Sequence, residues 1–234
     1  MNKKLCVLIG LCAMLASSAA YSWEDCLRTK SQVYDAAADF LPGYIANKNP
    51  NGCWTYGWTT DLLGPLTIYP NTGISPLDNH PQTWYDPNND SGRSPVVTRN
   101  WNGDYNDGNV TWPAGALLLT GCGIDGHSYS HVIWTAPKKG KYLLSATFYA
   151  AQNYIDADVH ILVKHKSVFD ASFTENGSKR TFVKELQLSV GDAIDFASGP
   201  NGAFYQHPAY TGLIADVIRL EQNGGDNHHN KQPN

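Results

Sequence analysis

The chain has 234 residues, with 21 acidic against 17 basic side chains and a formal charge of −4. That mildly acidic balance argues against a nucleic-acid surface, whose phosphates demand clustered Lys and Arg. With 42% hydrophobic residues the chain can bury a proper core, and its length fits one β-rich domain plus short extensions.

The first residues, MNKKLCVLIGLCAMLASSAA, set Lys3 and Lys4 ahead of an apolar run from Leu5 to Leu15 and then small residues, the layout of a secretory signal peptide. Cleavage is expected after Ala20, with Ser22 as the alternative site; Leu11 disfavours a lipoprotein signal at Cys12. The run is shorter than the roughly 20 residues that span a bilayer. No later stretch approaches that length, so no transmembrane segment is expected. Export, to the periplasm or beyond, would remove two lysines and no acid, taking the formal charge from −4 to −6. It would also place Cys26, Cys53 and Cys122 where disulfides form. An odd count leaves at least one thiol unpaired or paired between molecules, and the spacing does not choose the pair. None of the spacings resembles a zinc site.

Residues 21–32 read as an extension in which Ser22 and Asp25 have the spacing of a helix cap. The stretch NPNGCWTYGWTT at 49–60 follows. Period two puts Trp54, Tyr56 and Trp58 on one face, expected to be core because large aromatics dominate burial. Gly57 in mid-strand predicts a bulge or a close approach by another element. Between Tyr69 and Gly115 the chain is rich in Pro, Gly, Asn and Asp, which predicts long loops, with PLTIY, PVVTRN and ALLLT as short strands.

From Tyr129 onward short strands alternate with turns: YSHVIWT, YLLSATFYA, ADVHILVK, FVKELQL, AIDFA and LIADVIRL. Period two places Tyr142, Leu144, Ala146 and Phe148 on one face, and separates Val159, Ile161 and Val163 from Asp158, His160 and Leu162. The count is roughly nine or ten strands of ordinary length. Strands at this spacing without helical patterns between them predict an antiparallel sandwich or barrel. Residues 221–234 form a polar tail with a disordered composition.

Three sets of residues carry chemistry. Trp84, Tyr85, Trp101 and Tyr105 lie in the polar loops, where aromatic faces beside amides and carboxylates suit a sugar; the competing role is to pin the loops to the sandwich. DPNNDSG and NGDYNDGN cluster oxygen ligands of the kind calcium prefers, although Asp and Asn also cap turns, so no cofactor is assigned. Asp156, Asp158 and His160 share a strand face, which permits acid–base chemistry. No nucleophile elbow or zinc-protease helix accompanies them, and a hydrogen-bonded histidine in the sheet is the expectation. His127, His131 and His207 are isolated.

Taken together, YDAAADF, NPNGCWTYGW, VIWTAPKKGKYLLSATF, DADVHILVKHKSVFD, LQLSVGDAIDFASG and TGL resemble a β-sandwich domain that recurs in secreted and surface-sorted bacterial proteins. The resemblance spans about Val33 to Leu220. It implies a jelly-roll-like architecture, similar to carbohydrate-binding modules, and brings no catalytic residues. Cys53 and Cys122 both stand where the family places other residues, which makes Cys53 with Cys122 the preferred disulfide and Cys26 with Cys53 the runner-up. Tyr210, before Thr211, stands where the family would place an acid.

The expectation is therefore an all-β, antiparallel, jelly-roll-like sandwich over residues 33–220, with long loops in its N-terminal half and room for one short N-terminal helix. Its function is read as that of a secreted, non-catalytic binding module for glycan or another extracellular surface ligand. The alternatives are a secreted hydrolase using the Asp158 and His160 face, or a protein-binding adhesive surface protein.

Overall fold

The computed structural model describes residues 26–27, 32–40, 49–73, 83–89, 95–100, 103–122, 126–153, 155–201 and 210–221. The signal peptide, the cap at Ser22, the polar tail, His207 and Trp101 lie outside the described residues. The first half of the chain supplies short strands: β1 (Val33–Asp35), β2 (Trp54–Thr59), β3 (Thr67–Ile68), β4 (Asn71–Gly73), β5 (Thr83–Tyr85), β6 (Val96–Arg99), β7 (Tyr105–Asn106), β8 (Thr111–Trp112) and β9 (Leu117–Thr120). Longer ones follow: β10 (Tyr129–Thr135), β11 (Gly140–Ala150), β12 (Ala157–Val163), β13 (Lys166–Phe173), β14 (Lys179–Leu188), β15 (Ala193–Gly199) and β16 (Tyr210–Leu220).

Two antiparallel sheets form, as the alternation of residues predicts. The eight-stranded sheet runs β14-β11-β16-β9-β6-β5-β4, and β1 pairs with β16 beyond the end of β9. The six-stranded sheet runs β13-β12-β15-β10-β2-β3, and β7 with β8 makes a separate hairpin. Tyr142, Leu144, Ala146 and Phe148 all point inward, and from the other sheet so do Trp54, Tyr56, Val132, Trp134, Val159, Ile161 and Phe196. Aromatic rings bridge the layers: Tyr56 stacks on Trp84 with centroids 6.0 Å apart, and Trp134 meets Tyr142 edge-on at 5.1 Å.

The NPNG turn has a physical role. Asn49 donates from Nδ2 to the carbonyls of Tyr56 and Tyr69 and accepts from the Tyr56 amide, so one side chain clamps β2 to the segment after β3. Asn51 exchanges backbone bonds with Trp54 and donates from its side chain to the Asp39 carbonyl, while Trp54 Nε1 donates to the Asp39 carboxylate. Gly57 answers to the expected close approach: a Cβ there would lie 2.5 Å from the Thr67 carbonyl oxygen.

Three expectations change. The disulfide joins Cys26 to Cys53, not Cys53 to Cys122. Cys53 sits beside Thr135 at one end of β10, whereas Cys122 bridges Ser128 just before its other end. That length of strand separates them by about 20 Å, while bridged cysteines need Cα atoms within about 7 Å. Trp84, expected in an exposed loop, is 1% exposed on β5, where strand alternation turns it into the core. Finally, Lys166–Phe173 is a strand that the sequence pattern hid, because Lys166, Ser167, Val168 and Phe169 break the alternation where its pairing with β12 shifts register.

These placements predict two outcomes. Non-reducing peptide mapping recovers a Cys26–Cys53 peptide, and removing this bond costs about 3 kcal/mol through the loop it closes. Trp84→Ala lowers unfolding free energy by about 3 to 5 kcal/mol, as Trp134→Ala does, when both are compared by urea denaturation.

Candidate functional site

On the outer face of the eight-stranded sheet, the β7–β8 hairpin folds over the ends of β11 and β16. Its underside is apolar: Trp112 is fully buried and packs with Val110, Ala116, Leu118, Tyr149 and Tyr210 as a second cluster outside the main core. The hairpin is held in place by a backbone bond from Thr111 to Ala151 at 2.8 Å and by Asn153, which donates to the Gly108 carbonyl at 2.6 Å. Its turn is capped by Asp107, whose carboxylate accepts from the amides of Asn109 and Val110. Those bonds hold Asp107 below the ordinary carboxylate value.

Beside this hairpin a cleft of about 450 Å³ opens, lined at its floor by Thr147, Tyr149 and Ile214 and at its sides by Asp104, Tyr105, Asn176 and Lys179. Tyr149 and Lys179 are direct cross-strand partners, as are Tyr149 and Gly212. The Tyr149 ring lies across Gly212 so closely that a Cβ there would fall 1.7 Å from it. Only glycine permits this ring to lie flat. Burial, and then the charge of Asp104, push the Tyr149 hydroxyl up, so it stays a neutral donor. That hydroxyl is buried with no hydrogen-bond partner. The rim is ordered by its own bonds: Tyr105 donates to Asp107 at 3.0 Å, Asp104 accepts from the Ala114 amide at 2.9 Å, and Asn176 donates to Asn153.

Of the three described aromatics singled out in the loops, one reaches this cleft. Tyr105 stands half-buried at its rim, Trp84 is in the core, and Tyr85 lies half-buried over Gly73 on β4. Asp86 accepts from Trp58 Nε1 at 3.1 Å and from the Asn88 amide at 2.9 Å. Asp86 and Asp107 therefore use their oxygens for capping and anchoring, the turn role that competes with calcium. Tyr149 was missed, although period two on β11 places it outward, where an aromatic is out of pattern. Asp104 was marked only as an oxygen ligand within NGDYNDGN, and Asn176 and Lys179 carried no mark.

The Asp158 and His160 face lies on the six-stranded sheet. His160 is held at both nitrogens, by Asp158 at 3.0 Å and by Asp170 on β13 at 2.6 Å. Tyr129 lies across Gly199 and donates to Asp158 at 2.8 Å; Ser167 donates to Asp170 at 2.6 Å; and Asn201 donates to Asp156 at 2.6 Å. Burial works against charge on His160 and is the largest influence, but the bonds to Asp158 and Asp170 together outweigh it and raise its pKa. An imidazole bonded to carboxylates on both sides is a clamp between strands, and no nitrogen is left to take a substrate proton. In the same sheet Thr59, His131 and Asp195 line up as hydroxyl, imidazole and carboxylate at 2.9 and 3.0 Å. Thr59 is 2% exposed, which closes it to any substrate.

The sign of the His160 clamp sets its pH dependence. A raised histidine contributes fully below its ordinary value of 6.5 and loses that contribution as pH rises through its folded value, while the lowered Asp158 and Asp170 lose theirs as pH falls below about 3.8. The stability difference between the wild type and His160→Gln is therefore largest between those limits. Urea denaturation at pH 5.5 and at pH 9 should show the difference shrinking at the higher pH.

No protein-family model matches the sequence, and the comparison with curated proteins returns no match. Solved structures with local similarity include the CBM51 module of a Clostridium perfringens GH95 protein in complex with methyl-galactose, at 7% identity, covering 80% of this chain and 99% of that one, with a TM-score of 0.33. A family 35 carbohydrate-binding module from Clostridium thermocellum is 17% identical over 40% of this chain and 72% of that one, with a TM-score of 0.28. A CBM36-1 domain of a xylanase from the hindgut metagenome of Trinervitermes trinervoides is 11% identical over 54% of this chain and 91% of that one, with a TM-score of 0.30. At scores this low the superpositions are loose, and the reading of the site rests on its own geometry.

Proposed function

We propose that the chain is an exported carbohydrate-binding module, with residues 1–20 as its signal peptide and 33–220 as its binding domain, and that it holds a short run of saccharide in the cleft beside the β7–β8 hairpin. The observation that carries this reading is the composition of that cleft. Two tyrosines share about 450 Å³ with a carboxylate, an ammonium and an amide, from Asp104, Lys179 and Asn176. The volume falls within the ordinary range for small-ligand sites, about 300 to 1,000 Å³. A sugar ring has apolar C–H faces and a rim of hydroxyls that both donate and accept. Tyr105 supplies a face to stack on, Asp104 accepts, and Lys179 and Asn176 donate. Nothing in the cleft is arranged as a nucleophile with its base, so the reading is binding without turnover.

Isothermal titration against a panel of neutral and acidic oligosaccharides tests it. Tyr105→Ala should weaken the best binder by about tenfold or more, near 1.4 kcal/mol, with little change in melting temperature because this ring is half-exposed. Gly212→Ala should weaken the same ligand by displacing Tyr149. A panel without a binder, or a Tyr105→Ala protein that binds as the wild type does, removes the proposal. Polysaccharide turnover lost with His160→Ala would instead establish the hydrolase, and self-association insensitive to sugar would establish the adhesive protein.

A further inference from the structure

The end of the sandwich opposite the cleft is built from three turns that touch. The β10–β11 turn bonds to the β14–β15 turn through Ala136 to Asp192 and Gly191 to Ala136, both at 2.9 Å, and the β12–β13 turn joins them through Lys164 to Ala193 at 3.0 Å. These turns bring Lys138, Lys139, Lys141, Lys164 and Lys166 to one end of the molecule. Among the described residues the carboxylates beside them are Asp192, paired with Lys164 at 2.6 Å, Glu185, paired with Lys141 at 2.6 Å, and Glu221, exposed next to Leu220, the cross-strand partner of Lys141. Lys139 and Lys166 are exposed and enter no ion pair among the described residues. A chain that is acidic as a whole thus carries a basic end, while Asp61, Asp86, Asp104 and Asp156 lie toward the other.

An exposed apolar side chain stands on this basic end. Val190 is 53% exposed at the tip of the β14–β15 turn, which is locked by the Ser189 amide donating to Asp192 at 2.6 Å and by Gly191 at φ +85°. Lysines carry compact charges without the fork that fixes one carboxylate or phosphate, so they suit a field of anionic groups better than a single bound ion. A rim of such charges around an exposed valine matches a headgroup layer with hydrocarbon beneath it.

We infer that this end docks on an anionic lipid surface. β11 starts at this end with Gly140 and reaches the cleft at Tyr149. At strand rise that separation is about 30 Å. Docking by the lysine turns therefore leaves the cleft facing away from the membrane, and the two sites operate independently.

Cosedimentation of the full chain with mixed phosphatidylglycerol–phosphatidylcholine vesicles, with phosphatidylcholine vesicles and with soluble dextran sulfate tests the inference. The wild type should bind the anionic vesicles, lose them at high salt, and ignore phosphatidylcholine. The double substitution Lys139→Gln with Lys166→Gln should weaken vesicle binding by about 30-fold, and Val190→Ser should lower it several-fold, with melting temperatures unchanged because all three side chains are exposed. Tyr105→Ala should bind vesicles as the wild type does. Equal binding to both vesicle types, an unaffected lysine double variant, an unaffected Val190→Ser protein, or binding to dextran sulfate without binding to vesicles would each overturn the lipid assignment. Loss of vesicle binding in Tyr105→Ala would overturn the separation of the two sites.

Discussion

Packing of aromatic rings between the two sheets is the interaction on which the rest of the structure depends. Tyr56 on β2 stacks against Trp84 on β5, and Trp134 on β10 meets Tyr142 on β11, so each pair joins one sheet to the other. Tyr34 on β1 adds a third ring, 5.1 Å from Trp134. Large rings bury much apolar area for few rotatable bonds. They hold the sheets at a fixed separation, and so decide which residue of every strand faces out. The asparagine clamp at Asn49 matters because it sets the height at which β2 presents its half of these contacts.

Both outer faces use the same local device. On the six-stranded sheet Tyr129 lies over Gly199; on the eight-stranded sheet Tyr149 lies over Gly212. In each case a glycine on the neighbouring strand lets a tyrosine lie along the sheet. The results differ because of what the ring meets next. Tyr129 reaches the Asp158 carboxylate and joins a saturated polar network, whereas Tyr149 reaches the underside of a hairpin and keeps a hydroxyl without a partner. A saturated network rigidifies; an unsatisfied buried donor is the kind of group that calls for an explanation. That contrast sets the two faces apart: one is closed by its own bonds, and the other keeps a buried polar atom without a partner.

Sequence patterning made the sandwich legible wherever strands lie between two neighbours with one face buried. β10, β11, β12, β15 and β16 follow the expected alternation closely, and the inward set on β11 is the expected one. β13 escaped because its polar and apolar residues do not alternate, and so did β4 and β5, where Pro, Asn and Asp concealed Thr83–Tyr85. Loop composition was a poor guide to exposure for the same reason: Trp84 answers to its strand neighbours, not to the prolines around it. Of the cleft, Tyr105 was legible as an aromatic among polar residues. Asp104, Asn176 and Lys179 come together only through tertiary pairing, and the disulfide depended on which end of β10 each cysteine approaches.

The side of the sandwich where β13 and β14 lie has a consequence for solubility. Both are edge strands, of 8 and 10 residues, and the gap between their sheets is closed by Phe169, which stacks on Phe148 and meets Phe182 at 5.4 Å. Long edges offer unpaired backbone to any passing strand and are natural templates for fibrillar growth. Here β14 carries Lys179, Arg180, Lys184 and Glu185 along that edge, and Arg180 covers the Phe173 ring from 5.6 Å. The charges act as gatekeepers. Neutralising them would leave the packing between the sheets in place while turning a protected edge into a seed for aggregation.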